Sequence, residues 1–424
     1  MKRVHAAAGA AALLLAGGVA VARRGAAPGP TILVRTVAVG GALGRVALDE
    51  RSGRAFVLDH QTNTVRVLDA VTGTSLRTIA AGAYPSLVAL DAERGHVFIA
   101  AWADDAVRML DAATGVVRRV VSLGQGPGPG GMALDARTGR LFVTNYGAGT
   151  VRVLDTASGR LLRTLRVGGA PRRLAVDERT RRVFLVRSDE RGHALLVLDA
   201  RDGAVRRRLR LDRTPGPAYV AVDAQAGRAV VVSTLAGTVT TLDTRRLVVV
   251  RSSVVGGAPR AVAVDDRTGR VFVAQSGAAG VAMLDSHTGA LVRVVRVGAG
   301  PVALAADRRA GRIVVASWGQ PVDPRTWYWS PDAVGKPTAG SVSLLDARTG
   351  DVVRQVATGS IPVAVAVDER RGRAVVINAG GTAVAPDPWA WMPSWLRDRT
   401  HGLIPARPGP RALPGSVSVV DTRR

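Results

Sequence analysis

The sequence predicts an all-β chain: a single β-propeller of eight four-stranded blades, the last blade closed by the N-terminal strand. Three observations carry that reading. A unit of four short apolar runs recurs along the 424 residues, an Asp-to-Gly turn recurs inside it at fixed offset, and the last copy lacks a strand that the start of the chain supplies. Self-similarity at about 40 to 45 residues is the mark of propeller blades.

The unit is clearest from Asp135 to Gly169. MALD closes one strand, Asp135 to Gly139 turns, RLFVTN is a second strand, TVRVLD a third, and LLRTLRV a fourth after the turn at Asp155 to Gly159. An apolar residue, an Ala and a second apolar residue precede an Asp at eight places: Asp49, Asp91, Asp135, Asp177, Asp223, Asp265, Asp307 and Asp368. The Ala is expected where blades crowd near the axis. Four residues after each Asp stands a Gly, with Arg181 the one exception. In such a hairpin the carboxylate bonds the turn backbone and Gly takes the positive φ, which assigns these Asp residues to turns and not to a metal site. The same pairing recurs later in the unit, as at Asp69/Gly73 and Asp155/Gly159. Seven copies place a Pro six residues before the first Asp, from Pro85 to Pro362, stiffening the crossing between blades. All five Phe residues (Phe56, Phe98, Phe142, Phe184, Phe272) share one second-strand position and read as core.

The residues VTN followed by VRVLD resemble the YVTN-type β-propeller repeat, and the likeness extends over nearly all of residues 31–424. Members of that family are mostly extracytoplasmic binding or surface proteins, with a minority enzymatic. The resemblance therefore implies a binding scaffold and leaves its ligand open.

The eighth copy stops after its third strand, Ser416 to Asp421, while Ile32 to Gly40 imitates the fourth-strand segment Leu291 to Gly298. Joining the two leaves no unpaired radial edge. Residues 1–22 read as a signal peptide, with a basic start, an apolar run from Ala6 to Ala22 and the small-residue pattern Ala20-Val21-Ala22. Residues 23–30 form a linker and 31–424 the propeller, so the protein is expected to be extracytoplasmic (secreted, cell-surface or periplasmic) and monomeric. An uncleaved anchor is the other reading of the apolar run. Cysteine is absent, which excludes disulfides, thiolate metal sites and a Cys nucleophile. The formal charge of +25 is almost all arginine. It reflects either compositional bias or an anionic partner such as teichoic acid, nucleic acid or lipid headgroups. On outer strands, as at Arg118-Arg119, charge also blocks edge-to-edge association.

Function is expected where the copies differ. The loops between second and third strands share a face with the inter-blade crossings. Two of them, in repeats seven and eight, carry insertions at about 318–341 and 379–416. All seven Trp residues lie in loops of this kind: Trp102, Trp318, Trp327, Trp329, Trp389, Trp391 and Trp395. Tyr146 takes the position equivalent to Trp102, and Tyr328 stands within an insertion. Three readings compete for this cluster: a small core beneath the two loops, a platform on which a glycan, peptide or protein ligand stacks, and insertion into a membrane interface. His60 and His401 lie on the same face as possible acid-base groups.

No His-x-x-x-His pair, nucleophile elbow or phosphate loop is present, so no catalytic residue, metal ligand or cofactor is assigned. Propeller lactonases hold a metal at the channel mouth, but the mouth positions here read Gly44, Ser86, Gly130, Arg172, Ala218, Arg260, Val302 and Val363. Asp59, Asn145 and Asn378 are the nearby alternatives. Quinoprotein propellers repeat their tryptophans in every blade, unlike this chain. The leading expectation is a binding scaffold using the aromatic face, and the alternative a lactonase-like hydrolase at the same mouth.

Overall fold

Short apolar runs stopped by Asp and Gly turns favour consecutive antiparallel strands over long-range pairings. In the computed structural model, which describes residues 35–124, 128–189, 192–214, 218–320, 339–380 and 414–423, they form eight four-stranded sheets. Blade 1 runs outward through β2 (Leu43–Asp49), β3 (Arg54–Asp59), β4 (Thr64–Asp69) and β5 (Ser75–Ala80). Blades 2 to 7 repeat this order from inner strands β6 (Pro85–Asp91), β10 (Pro129–Asp135), β14 (Ala170–Asp177), β18 (Ala218–Asp223), β22 (Pro259–Asp265) and β26 (Pro301–Asp307). Each inner strand packs against the next, and β30 (Pro362–Asp368) of blade 8 packs against β2, which closes the ring. No helix among the described residues is long and apolar enough to cross a membrane.

Blade 8 is completed from the other end of the chain. Its third strand, β32 (Ser416–Asp421), pairs antiparallel with β1 (Arg35–Ala38), from Arg35 opposite Val419 to Ala38 opposite Ser416. Thr36 and Ser418 share a hydroxyl hydrogen bond of 2.8 Å across the pair. The Val39 and Gly40 amides continue the join by donating to the Gly415 carbonyl at 2.9 and 2.8 Å. The residues before Arg35, with the expected signal peptide and linker, lie outside the described residues.

The apolar cores lie between blades. Phe56 of blade 1 packs with Val97, Ile99 and Leu110 of blade 2. Phe98 of blade 2 packs with Leu141 and Leu154 of blade 3, and Phe272 of blade 6 with Ile313 and Leu345 of blade 7. All five Phe residues are fully buried, as their position in the repeat implies. The register explains the recurring alanines: Ala47, Ala89, Ala133, Ala175 and Ala263 stand directly opposite Phe56, Phe98, Phe142, Phe184 and Phe272. Residues opposite each other share a sheet face, so the small partner leaves the ring its space. Where the partner is Val230, Val314 or Val375, the Ala is kept.

The turn assignments hold in atomic detail. Asp135 Oδ1 accepts from the Thr138 amide at 3.1 Å and Asp307 Oδ1 from the Ala310 amide at 2.8 Å. In blades 1 and 3 the arginine after the turn fastens one blade to the next, Arg54 donating to the Ala113 carbonyl at 3.3 Å and Arg140 to the Ala200 carbonyl at 2.6 Å, whereas Arg270 and Arg312 pair with Asp285 and Asp346 of their own blades at 2.9 and 3.1 Å. His96 takes the same place in blade 2, its Nδ1 2.8 Å from the Thr156 carbonyl.

Arg181 adopts the conformation that Gly has in the other copies, with φ of 55°. A side chain there costs about 1 to 2 kcal/mol, partly offset because Gly gives the unfolded chain more freedom. Arg181→Gly is expected to raise stability by about 1 kcal/mol, read as a higher midpoint in denaturant unfolding with an unchanged slope.

Candidate functional site

The N-terminal ends of the inner strands, the crossings that feed them and the loops between second and third strands meet at one mouth of the central channel. Both insertions start there, one after β27 (Arg312–Ser317) and one after β31 (Arg373–Asn378). Trp327, Tyr328, Trp329, Trp389, Trp391, Trp395 and His401 lie outside the described residues.

Across blades 1 and 2 the mouth carries a ladder of three rings. His60 stacks on Tyr84, ring centres 5.2 Å apart and planes 22° apart, and Tyr84 meets Trp102 edge-on at 6.2 Å and 72°. Each ring is half-buried. Tyr84 was not among the residues singled out from sequence, because it precedes Pro85 in a crossing and has no aromatic counterpart in the other copies. Its backbone is held at φ of 52°, with its amide donating to Asn63 Oδ1 at 2.8 Å and its carbonyl accepting from the Trp102 amide at 2.8 Å. Such a conformation persists for a non-glycine residue only where its surroundings over-determine it. Burial pushes its phenol up to about 12, so the ring stays neutral.

Glycine makes room for the ladder. A Cβ on Gly44 would stand 2.2 Å from His60 Nε2, and one on Gly128 would stand 2.7 Å from the Trp102 ring. His60 Nδ1 is buried with no hydrogen-bond partner among the described residues. Burial lowers the imidazole's pKa, against the pull of the Pro85 carbonyl and the Asp59 charge, and Arg45 adds to the lowering. A neutral ring suits stacking; an imidazolium here would lose its hydration.

Tyr146 lies after β11 (Arg140–Asn145), at the place of Trp102 in blade 3. The Arg172 guanidinium sits 4.6 Å from its ring centre and donates from Nη2 to the hydroxyl at 3.3 Å. Arg172 comes from a two-residue bulge in β14 between Pro171 and Leu174. Bulges re-aim side chains at barrel and sheet rims.

Trp318 departs from the expectation of exposed indoles. It is 3% exposed and packs with Ile361 and Ala379, with Val302 and Val363 alongside, between blades 7 and 8. At this position the small-core reading describes the ring, because the insertion's first residue turns inward under the crossing. Of the candidates for a cation site, Asp59 pairs with Arg66 at 2.8 Å and Asn145 Oδ1 accepts from the Ala148 amide at 3.3 Å, whereas Asn378 Oδ1 is buried with no hydrogen-bond partner among the described residues. No group of three potential metal-ligating side chains occurs among the described residues. A cavity of about 150 Å³ lined by Arg54, Leu76, Ile79 and Gly115 lies at the opposite face and holds no aromatic ring.

No family model matches the chain, and no curated protein matches it in sequence. Solved structures match it in shape. The computationally designed Ika8 protein superposes with a TM-score of 0.63 at 17% identity, over 80% of this chain and 94% of that one. Kuenenia stuttgartiensis hydrazine synthase superposes with a TM-score of 0.51 at 14% identity, over 66% of this chain and 93% of that one. At these identities the likeness is one of fold.

The lowered His60 pKa fixes a sign. The unfolded chain takes up this proton near the ordinary value of 6.5, before the folded chain does, so stability falls as pH drops from there toward the folded value. Thermal midpoints followed from about pH 7.5 to 5 should decline more for the wild type than for His60→Gln; parallel curves would contradict the assignment.

Proposed function

We propose that this chain is an exported ligand-binding propeller of the YVTN type, taking a glycan or peptide at the crowned mouth of its channel. One observation carries the reading: the His60, Tyr84 and Trp102 ladder spans two blades on the face from which both insertions rise. Rings fixed by a rigid scaffold offer flat apolar area with little ordering cost on binding. The aromatic residues of the insertions, Trp327, Tyr328, Trp329, Trp389, Trp391 and Trp395, enter the proposal through their place in the sequence. Export rests on the basic start and apolar run of residues 1–22. A binding role fits the mouth better than hydrolysis does, since Asp59 and the Asn145 oxygen are bonded within the fold, which leaves Asn378 as a single candidate ligand where a cation needs several.

The test is an array of glycans and peptides probed with the purified mature chain, followed by titration of any hit. Trp102→Ala is expected to weaken binding by about 2 kcal/mol or more while leaving the thermal midpoint nearly unchanged. Trp318→Ala should instead cost about 3 to 5 kcal/mol of local stability. A ligand whose affinity ignores Trp102 and Tyr84 would place binding elsewhere.

A further inference from the structure

At the same mouth, the inner strands bring together charges that the aromatic reading does not use. Counting back from the closing Asp of each inner strand, Arg45, Arg173 and Tyr219 occupy the same register in blades 1, 4 and 5, and Arg260 stands one residue earlier in blade 6. In blades 1, 4 and 6 the arginine falls within the irregularity of the ladder, between Leu43 and Val46, Pro171 and Leu174, and Pro259 and Ala261. A bulge of this kind turns a side chain out of the regular alternation. The Arg173 guanidinium lies 5.6 Å from the Tyr219 ring centre. Tyr219 packs its ring against the core between blades 5 and 6. Burial would raise the phenol's pKa, but the charges of Arg260, Arg173 and Arg45 and a hydrogen bond with Arg260 outweigh it and bring the phenol below its ordinary value. Arg45 belongs to the blade opposite Tyr219 in the ring, so its influence there spans the channel. Ahead of its closing Asp, no described inner strand carries an Asp or Glu.

The other end of the same strands mixes charges of both signs. The residues that follow the closing Asp include Glu50, Glu178, Asp266 and Glu369. Arg308 bridges two of them, 3.0 Å from Asp266 and 3.4 Å from Glu369. Burial and the neighbouring Asp368 and Glu369 charges raise the pKa of Glu50, the signature of crowded negative charge. Arginines of the same turns, among them Arg51, Arg179, Arg267 and Arg370, stand beside these acids, so positive charge without neighbouring carboxylates on the inner strands is confined to the crowned mouth, where it attracts an anion.

We propose that Arg45, Arg173, Arg260 and Tyr219 form an oxyanion site at the channel mouth, taking the phosphate or carboxylate group of a small acidic ligand or of an acidic chain end. Guanidinium groups from three blades surround such a group with charge-assisted donors, and the Tyr219 hydroxyl adds one more. Arg45 shares blade 1 with His60 while Arg173, Tyr219 and Arg260 lie in blades 4 to 6, so one ligand reaching across the mouth can stack a ring on Trp102 and place its acidic group among the arginines. This deepens the binding proposed above and rests on it for the identity of the face.

The experiment titrates the mature chain calorimetrically with pyrophosphate and, separately, with citrate, at low and matched ionic strength. Saturable binding of either is expected, weakened about tenfold or more in Arg173→Gln and in Arg260→Gln and unchanged in Arg166→Gln on the exposed outer strand of blade 3. Arg45→Gln, at an exposed position, serves where the Arg173 or Arg260 variant lowers the thermal midpoint. The bound oxyanion should also shift ionised-tyrosine absorbance to higher pH, a signal missing in Tyr219→Phe. Preference between the two probes identifies phosphate or carboxylate as the natural group. No saturable binding, or equal loss in Arg166→Gln, would overturn the site. A glycan or peptide hit dependent on Trp102, with both oxyanions silent, would remove the anion site and keep the binding face. Arginine-dependent oxyanion binding with no such hit would do the reverse.

Discussion

Every blade of this protein is apolar on faces that only another blade can cover. The Phe ring of one blade lies among the Leu, Ile and Val side chains of the next, and the Ala opposite it in the inner strand leaves the space. Because burial of apolar area is the main favourable contribution to folding, a blade by itself has little reason to persist. The ring must close for the first and last blades to be covered. The core of Leu43, Ala55, Val57, Val375, Ile377, Val417 and Val419 provides that cover, and the pairing of β1 with β32 fastens it. Arg54 and Arg140, after the inner turns of blades 1 and 3, reinforce joints of the same kind by reaching carbonyl groups of the next blade.

A closed ring also explains how a mouth with few long elements can be specific. The short loops and crossings are fixed by the strands on either side, so a ring or guanidinium placed there is held without a loop of its own. Strain collects at the same place. Tyr84, Ala258 and Ile361 each have positive φ directly before the proline that opens an inner strand, a step at which proline already narrows the choice of backbone conformations. Inner-strand bulges lie one or two residues further on. The far face, built from repeated Asp turns, has its own departures at Arg181 and Leu247.

The fold was legible because the repeat writes the same physical requirements in most of its eight copies. The Asp-to-Gly turn, the recurring Ala and the missing fourth strand of the eighth copy are all visible as pattern; the structure supplies that strand as β1 and adds that the Ala stands opposite the Phe ring. The mouth was legible only in part. Trp102 and Tyr146 stand out as departures from the repeat and lie at the channel entrance, but Trp318, equally conspicuous in sequence, turned inward to cover Ile361 and Ala379. Nothing in the string of residues distinguishes an indole that covers a joint from one that faces solvent. Tyr84 escaped notice because it sits between repeats. The convergence of Arg45, Arg173 and Arg260 on Tyr219 escaped it because residues over 200 positions apart become neighbours only once the ring has closed.

Hydrogen exchange on the intact chain tests most directly the claim that closure makes the ring a single cooperative unit. If each core exists only between blades, the amides pairing β1 with β32 should exchange with the same opening free energy as those in the middle of blade 5, such as Val231 and Thr240, through one global unfolding. Rapid exchange of β1 and β32 while blade 5 stays protected would show that the closing strand is an appendage and that the ring stands without it.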